Sequence, residues 1–442
     1  MTWVAGPHAA SQIIRLGANI ALTRLLAPEI FGIMLLINTL RTGTELLSDI
    51  GIGQSVVRSP HGHDRRFLDV AWTLQLLRGC LLALVALAAA WPVAQIYGQP
   101  SLAPLIIAMS PVFILTGLQS PALFVAQREM KLSRRAVFDI VNVVCNSLFA
   151  IALAWFIPTV WALVIALVVG TAVQTALTYL VFDRRLPRLT WDPVFVKEIV
   201  GFGKWIFLST AIYFAAISYD RLFFVGVLPL AMAGIYGVAR TFSDMLGALT
   251  QRAGAMLVFP RAAAMRGDDA DAARRLRATR RKTLAMVAVV CGCAVAGADQ
   301  FILLAYDDRY HAAAFMIPIL LVSVWFGMLS TFADSMLMGR GRPAPGAFAN
   351  GVKFLTLLAG LPLAIAHGSL LEALLVLVAS ELTRWLALAL PSHRAGFARA
   401  TDDLALTVLM AATALAGKVI AGSLGLVPTI GEWWALHGLL NV

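Results

Sequence analysis

Residues 41–48 read RTGTELLS and residues 240–247 read RTFSDMLG, each inside a long apolar run. In both, an arginine precedes an acid by four positions, so Arg41 with Glu45, and Arg240 with Asp244, share one helical face. An arginine inside an apolar span costs roughly 2.5–3.5 kcal/mol on insertion scales, and such residues turn toward a bundle interior or a water-filled cavity. Two such spans in one chain predict two halves that face one cavity.

Working outward, residues 6–25 (GPHAASQIIRLGANIALTRL) align without a gap to 203–222 (GKWIFLSTAIYFAAISYDRL), pairing Gly6 with Gly203, Arg24 with Arg221 and Leu25 with Leu222. A loop with a proline follows each, Pro28 and Pro229, and then the span with the RT pair. QIYGQPSLAP at 95–104 answers LAYDDRYHAA at 304–313, and QREMK at 127–131 answers GRGRP at 339–343. Matches in one order at an offset of about 200 are the mark of a duplicated transporter-like repeat, here of about six spans each.

Sixty per cent of the residues are apolar, 13% are charged and the mean hydropathy is +0.82, which excludes an ordinary soluble domain. Apolar runs of about 20 residues recur from end to end, the length of a membrane helix, whereas a membrane barrel would show short alternating segments. The predicted fold class is all-α and polytopic: two six-helix lobes related by the repeat, about 12 core spans with one or two more at the C-terminus. Spans fall near 8–26, 32–57, 68–97, 102–127, 135–157, 159–181, 199–227, 231–258, 283–305, 312–338, 345–366 and 370–390. A further one lies near 402–421, and 429–442 is a shorter apolar piece whose Trp433 and Trp434 suit an interfacial lie. The expected domains are 1–190 (spans one to six), 191–391 (spans seven to twelve, with a cytoplasmic linker at 260–282) and 392–442. The first apolar stretch lacks a basic lead and runs straight into a full span, so no cleavable signal is expected.

Charge orients this bundle. With the N-terminus inside, one set of connections carries Arg58, Arg65, Arg66, Arg128, Lys131, Arg134, Arg135, Arg184, Arg185, Arg188, Lys197, the run from Arg261 to Lys282, Arg340, Arg342, Arg394 and Arg399. The other set holds little beyond Arg24, Arg309 and Lys418, and the positive-inside rule therefore places the N-terminus in the cytoplasm. The same distribution accounts for the net charge of +11 without a nucleic-acid partner. The linker PRAAAMRGDDADAARRLRATRRK at 260–282 reads as a short, solvated, basic helix touching anionic lipid.

Several activities lack their residues. Cys80, Cys145, Cys291 and Cys293 fall in apolar spans as small hydrophobes, and the Cys291–Gly292–Cys293 pair has no further ligand beside it, so no metal or other cofactor is expected. There is no GxxxxGK[ST] phosphate loop, and the non-cytoplasmic connections leave little room for a catalytic face. A transporter, not an enzyme, is the expectation.

Polar residues inside the spans form stripes. Span one has Ser11, Arg15 and Asn19; span two Arg41, Glu45 and Asp49; span three Gln75 and Arg78; span five Asp139, Asn142 and Asn146. Span seven has Lys204, Ser209, Tyr213 and Asp220, span eight Arg240, Asp244 and Gln251, and spans ten to twelve Asp334, Lys353, Glu381 and Arg384. The Arg41–Glu45 and Arg240–Asp244 pairs either neutralise each other within a helix or leave the guanidinium to a ligand. Arg15, Arg78 and Lys204 have no carboxylate one turn away and read as ligand-facing. With Arg41 and Arg240 they form the candidate substrate site, and an excess of such groups suits an anion, since guanidinium forks match phosphate oxygens. Glu45, Asp139, Asp220, Asp244 and Asp334 either anchor helices or carry a coupling ion. Trp72, Trp205, Tyr213 and Trp325 either stack on sugar rings or mark interfaces.

LTRLLAPEIFGIMLLINTLRTGTELLSDIGIGQSVVRS at 22–59 resembles the opening of the oligosaccharide flippases, the polysaccharide transporter branch of the multidrug/oligosaccharidyl-lipid/polysaccharide exporter superfamily. The pattern R-x-L-x-P-x-x-[FY]-G and the later D-x-G-[IL] are met by Arg24, Leu26, Pro28, Phe31, Gly32, Asp49, Gly51 and Ile52, and AQREMKLSRR before Ala136 is similar as well. The resemblance implies a V-shaped pair of six-helix lobes that moves undecaprenyl-pyrophosphate-linked glycans across a bacterial inner membrane for capsule, exopolysaccharide or O-antigen synthesis. It implies a lipid-linked glycan as substrate, the bilayer as surroundings, and a polysaccharide polymerase or glycosyltransferases as partners. An exporter of small organic cations driven by H⁺ or Na⁺ is the alternative within the superfamily; it calls for carboxylates rather than arginines in the cavity.

Overall fold

In a computed structural model of the chain, residues 2–129, 132–183, 185–254, 258, 261–262 and 270–423 are described, except for the side chains at 2–5, 7–9, 132, 202–209, 252, 253, 270 and 272. The regular elements are helices: α1 (Thr2–Leu25), α2 (Pro28–Leu47), α3 (Ile52–Arg58), α4 (Arg65–Ile96), α5 (Leu102–Met109), α6 (Pro111–Gly117), α7 (Ala122–Arg128), α8 (Leu132–Phe156) and α9 (Val160–Val181). After them come α10 (Pro193–Val227), α11 (Leu230–Ala253), α12 (Ala270–Ala305), α13 (Ala313–Gly339), α14 (Ala344–Ala366), α15 (Leu370–Arg394) and α16 (Ala400–Ser423). Ten described helices are long and apolar enough to cross a membrane, or eleven with one broken span, and the protein is a multi-pass membrane protein. Helices α1 and α11, counted as spans in the sequence, are not among those ten; α1 carries Arg15 and Arg24, and α11 carries Arg240 and Asp244.

Two spans expected to be continuous are broken. The stretch 32–57 divides into α2 and α3 at Gly51, whose φ of 69° is the left-handed conformation that a side chain would strain. Asp49 Oδ1 accepts the Gly51 N–H at 2.9 Å and closes the turn, which gives the Asp49-x-Gly51 pair a local physical role. The stretch 102–127 divides into α5, α6 and α7; Pro111 starts α6, and the pieces on either side of 118–121 are bent by 56°. The described part of the 260–282 linker is also different from expectation. It forms the first turns of α12, continuous with the ninth span, rather than a separate short helix. The piece at 429–442 lies outside the described residues.

The chain divides into two compact units. The first comprises residues 1–214 and 225–234; in it α1 and α9 pack on α8, α4 packs on α5 and α6, and these in turn meet α9. Gly79 and Gly117 let α4 and α6 approach backbone to backbone, where a Cβ on Gly117 would stand 2.9 Å from the Gln75 carbonyl oxygen. Gly32 on α2 and Gly234 on α11 make a second such approach, each facing the other's backbone. Ile52, Val56, Phe67, Val70 and Ile199 close one end of this unit.

The second unit comprises residues 215–224 and 235–442. Its described core runs along α13, through Trp325, Met328, Leu329, Phe332 and Met336, against Leu284, Ala288 and Cys291 of α12 and Leu406 and Met410 of α16. Helices α12 and α16 lie close at Gly292, which faces Met410 and Thr413, and at Gly417, which faces Ala296. Arg280, expected to be solvated, is buried: its Nη1 and Nη2 meet Asp403 Oδ1 and Oδ2 at 2.5 and 3.1 Å. Farther along the same two helices Lys418 pairs with Asp299. The neighbouring Arg274, Arg275, Arg281 and Lys282 are exposed, as the basic-linker reading requires.

Candidate functional site

In the first unit the charged residues gather where α2 ends. Arg41 Nη1 donates to Glu45 Oε1 at 3.2 Å, while Arg41 Nε is buried with no hydrogen-bond partner among the described residues. Arg78 reaches across from α4: Nη2 meets the Glu45 carbonyl at 2.5 Å, and Nε and Nη2 meet Ser48 Oγ at 3.1 and 2.9 Å. Its guanidinium thus caps the C-terminus of α2, where unsatisfied carbonyls and the negative end of the helix dipole attract a cation. Arg15 is exposed on α1, and Asp139 pairs with Arg135 one turn before it, at 3.1 Å. The structure does not bring Arg15 and Asp139 to the Arg41–Arg78 group through any direct pairing with it. Lys204, the remaining cation of the candidate site, has its side chain outside the described residues.

The second unit holds a denser network. Arg240 Nε lies 3.5 Å from Asp220 Oδ2 and 3.6 Å from Asp244 Oδ1, so the acid expected one turn away shares it with a residue of α10. Arg221 takes Asp244 more closely, Nη2 to Oδ2 at 2.6 Å, and the Tyr236 hydroxyl donates to Asp220 Oδ2. On the neighbouring helices Lys353 Nζ meets Glu381 Oε1 at 2.5 Å, and Arg384 Nη1 meets Glu381 Oε2 at 3.4 Å. Glu381 also lies within electrostatic reach of Arg240. Asp334 abuts Gly346 at the start of α14, and its Oδ1 is buried without a hydrogen-bond partner among the described residues.

These groups balance rather than leave the cationic excess expected from the sequence: Arg221, Arg240, Lys353 and Arg384 stand against Asp220, Asp244, Glu381 and Asp334. The guanidinium groups are nevertheless underused, since Nε of Arg221 and Arg384 is buried with no hydrogen-bond partner among the described residues and Nε of Arg240 has only its two longer ion-pair contacts. Lys353, Glu381 and Arg384 were visible in the sequence only as separate stripes. The Glu381–Arg384 spacing was the one signal that tied two of them together. Tyr236 gave no signal at all. Of the aromatic residues considered as sugar platforms, Trp325 is in the core with its Nε1 on Thr407 Oγ1 at 3.0 Å, and Trp72 is buried against α6. Trp205 lies outside the described side chains, and Tyr213 is half-buried. Beyond the membrane core, Arg309 Nε donates to Asp307 at 2.7 Å and holds that carboxyl below its ordinary range.

Over residues 21–315 the chain matches the family model described as polysaccharide biosynthesis protein. The chain belongs to that family. Among solved structures, this family member is similar to the lipid II flippase MurJ in an inward closed conformation, with a TM-score of 0.77 at 10% identity, over 100% of this chain and 96% of the other. It is also similar to the eukaryotic MATE transporter AtDTX14 (TM-score 0.63, 14% identity, 94% of this chain and 98% of that one). An inward-facing multidrug resistance MATE family transporter of the MOP superfamily gives a TM-score of 0.64 at 14% identity, over 90% and 95%. At these identities the likeness shows a shared fold. No curated protein sequence matches this family member at a significant level.

Proposed function

We propose that this polysaccharide biosynthesis protein is a flippase for an undecaprenyl-pyrophosphate-linked oligosaccharide, moving it from the cytoplasmic to the outer leaflet of a bacterial inner membrane by alternating access. The observation that carries the reading is that Nε of Arg41, Arg221 and Arg384 is buried with no hydrogen-bond partner among the described residues, as is Nε of Arg280, whose other nitrogens are held by Asp403, while Arg240 Nε has only two long ion-pair contacts. A buried donor left unmade costs about 1–3 kcal/mol, more when charged, and a diphosphate supplies paired anionic oxygens that a planar guanidinium fork can meet bidentately. Arg15, Arg41, Lys204 and Arg240 are assigned to the substrate, with Arg78 supporting Arg41 by fixing the end of α2. The N-terminus is cytoplasmic, no cofactor is required, and a polysaccharide polymerase or glycosyltransferases work beside the protein on the same glycan.

Leaflet transfer of an undecaprenyl-pyrophosphate oligosaccharide in nucleotide-free proteoliposomes tests this. Wild type transfers the lipid, Arg41→Ala does not, and Arg240→Lys, which keeps the charge but loses the planar fork, transfers it at least tenfold more slowly. Transfer unaffected by both substitutions would remove these residues from the site. Absence of transfer by folded wild type, with and without an ion gradient, would move the reading to the exporter of small organic cations.

A further inference from the structure

Lys353 is among the least exposed charges in the second unit: its side chain is 6% exposed and that of its partner Glu381 13%. It stands in mid-span, because from Ala344 to Lys353 helix α14 rises about 14 Å. The ammonium contacts Glu381 at 2.5 Å and lies within electrostatic reach of Asp220, Arg240 and Arg384. Carboxylates converging at mid-membrane from α10 and α15 are the ligands that a monovalent metal ion would seek, hard oxygens with negative charge. Here the chain itself supplies the cation. An ammonium is a compact point charge on a flexible stem, closer in character to a small ion than a guanidinium fork is, and the covalent tether holds it beside the acid without dependence on bulk concentration. Arg240 and Arg384, flanking the same carboxylate, oppose the entry of one more positive charge.

We propose that Lys353 is a built-in counter-cation, its ammonium filling the place at Glu381 that an exchangeable alkali-metal ion would otherwise occupy, so that the second unit works without bound Na⁺ or K⁺. The consequence for transport rests on the flippase reading, but occupancy of the site is measured without transport. Removing the lysine is then expected to convert the site: Glu381 and Asp220 remain, and an ion from solution replaces the ammonium.

The experiment is ²²Na⁺ binding to purified protein, paired with thermal unfolding in NaCl, KCl, LiCl or choline chloride at constant ionic strength. Wild type is expected to bind no saturable ²²Na⁺ and to melt at one temperature in all four salts. Lys353→Ala is expected to lose stability in choline, to regain it saturably with an alkali ion or methylammonium by about 2 °C or more, and to lose that response when combined with Glu381→Gln. Saturable ²²Na⁺ binding by wild type overturns the proposal, and this arm stands even where Lys353→Ala does not fold. A folded Lys353→Ala that no alkali ion and no methylammonium stabilises overturns it too. Na⁺-stimulated leaflet transfer by wild type would sink this inference alone, whereas absence of transfer with the expected ion behaviour would sink the flippase reading alone.

Discussion

Arg280 and Asp403, 123 positions apart, form a buried two-point pair that joins the start of the ninth span to the last described helix. The Trp385 indole N–H donates to the same carboxylate at 3.1 Å, so three elements meet on one acid. Removing one partner leaves the other charge buried and uncompensated, which costs about 3–5 kcal/mol. Asp403→Asn and Arg280→Ala are therefore expected to lower the midpoint of thermal unfolding strongly, whereas Arg281→Ala, one position along on the exposed face, leaves it unchanged. Equal effects of Arg280→Ala and Arg281→Ala would show that the pair adds nothing.

Arg78→Ala removes three hydrogen bonds at the end of α2 and leaves the Glu45 carbonyl without its cation. A loss of about 1–3 kcal/mol in stability follows from the cap alone. The measurement is a comparison of unfolding with binding of a pyrophosphate-bearing lipid to the same samples. Reduced binding in a variant of unchanged stability would return Arg78 to direct substrate contact.

Gly32 and Gly234 predict opposite behaviour from Gly17. A methyl group on Gly234 would meet the Pro28 backbone, and one on Gly32 the Leu230 carbonyl, whereas a methyl on Gly17 meets nothing within 4 Å. Gly234→Ala is expected to cost about 1–3 kcal/mol by overpacking. Gly17→Ala, in mid-helix, is expected to stabilise by roughly 0.5–1 kcal/mol. Paired thermal melts read the difference, and a stable Gly234→Ala would mean that α2 and α11 do not approach so closely.

Tyr236→Phe tests whether Asp220 depends on its hydroxyl donor. Asp220 is buried and its Oδ1 has no hydrogen-bond partner among the described residues, so the tyrosine carries much of its satisfaction. The substitution is expected to destabilise by about 1–3 kcal/mol. Asp220→Asn combined with Tyr236→Phe is expected to cost less than the sum of the two single changes, because their shared hydrogen bond is lost only once; additive losses in unfolding experiments would show that the two residues act separately.

The helical class was legible because apolar runs of about 20 residues, the length of a membrane helix, recur from end to end. Partner choice was less legible. A spacing of four sees only Asp244 beside Arg240, while Asp220, which stands marginally nearer, belongs to another helix. The two broken spans escaped because hydropathy does not register a turn that stays apolar; Gly51 and Pro111 were the signals, and Asp49-x-Gly51 entered only as a pattern of resemblance. Arg280 was misread for the same reason as Asp220: it sits in a run of basic residues, and its acid lies in a segment treated as an addition. Lys353 and Glu381 come from different helices and share no sequence spacing, so only the fold joins them.

The distance in sequence between Arg280 and Asp403 is also a delay. A ribosome adding about 5–20 residues per second takes roughly 6–25 s to produce the 123 positions that separate them, and for that interval α12 lacks its counter-charge. The last described helix, α16, is therefore the element whose synthesis completes this buried pair, and the second unit reaches its full set of charge partners only after α16 has been made.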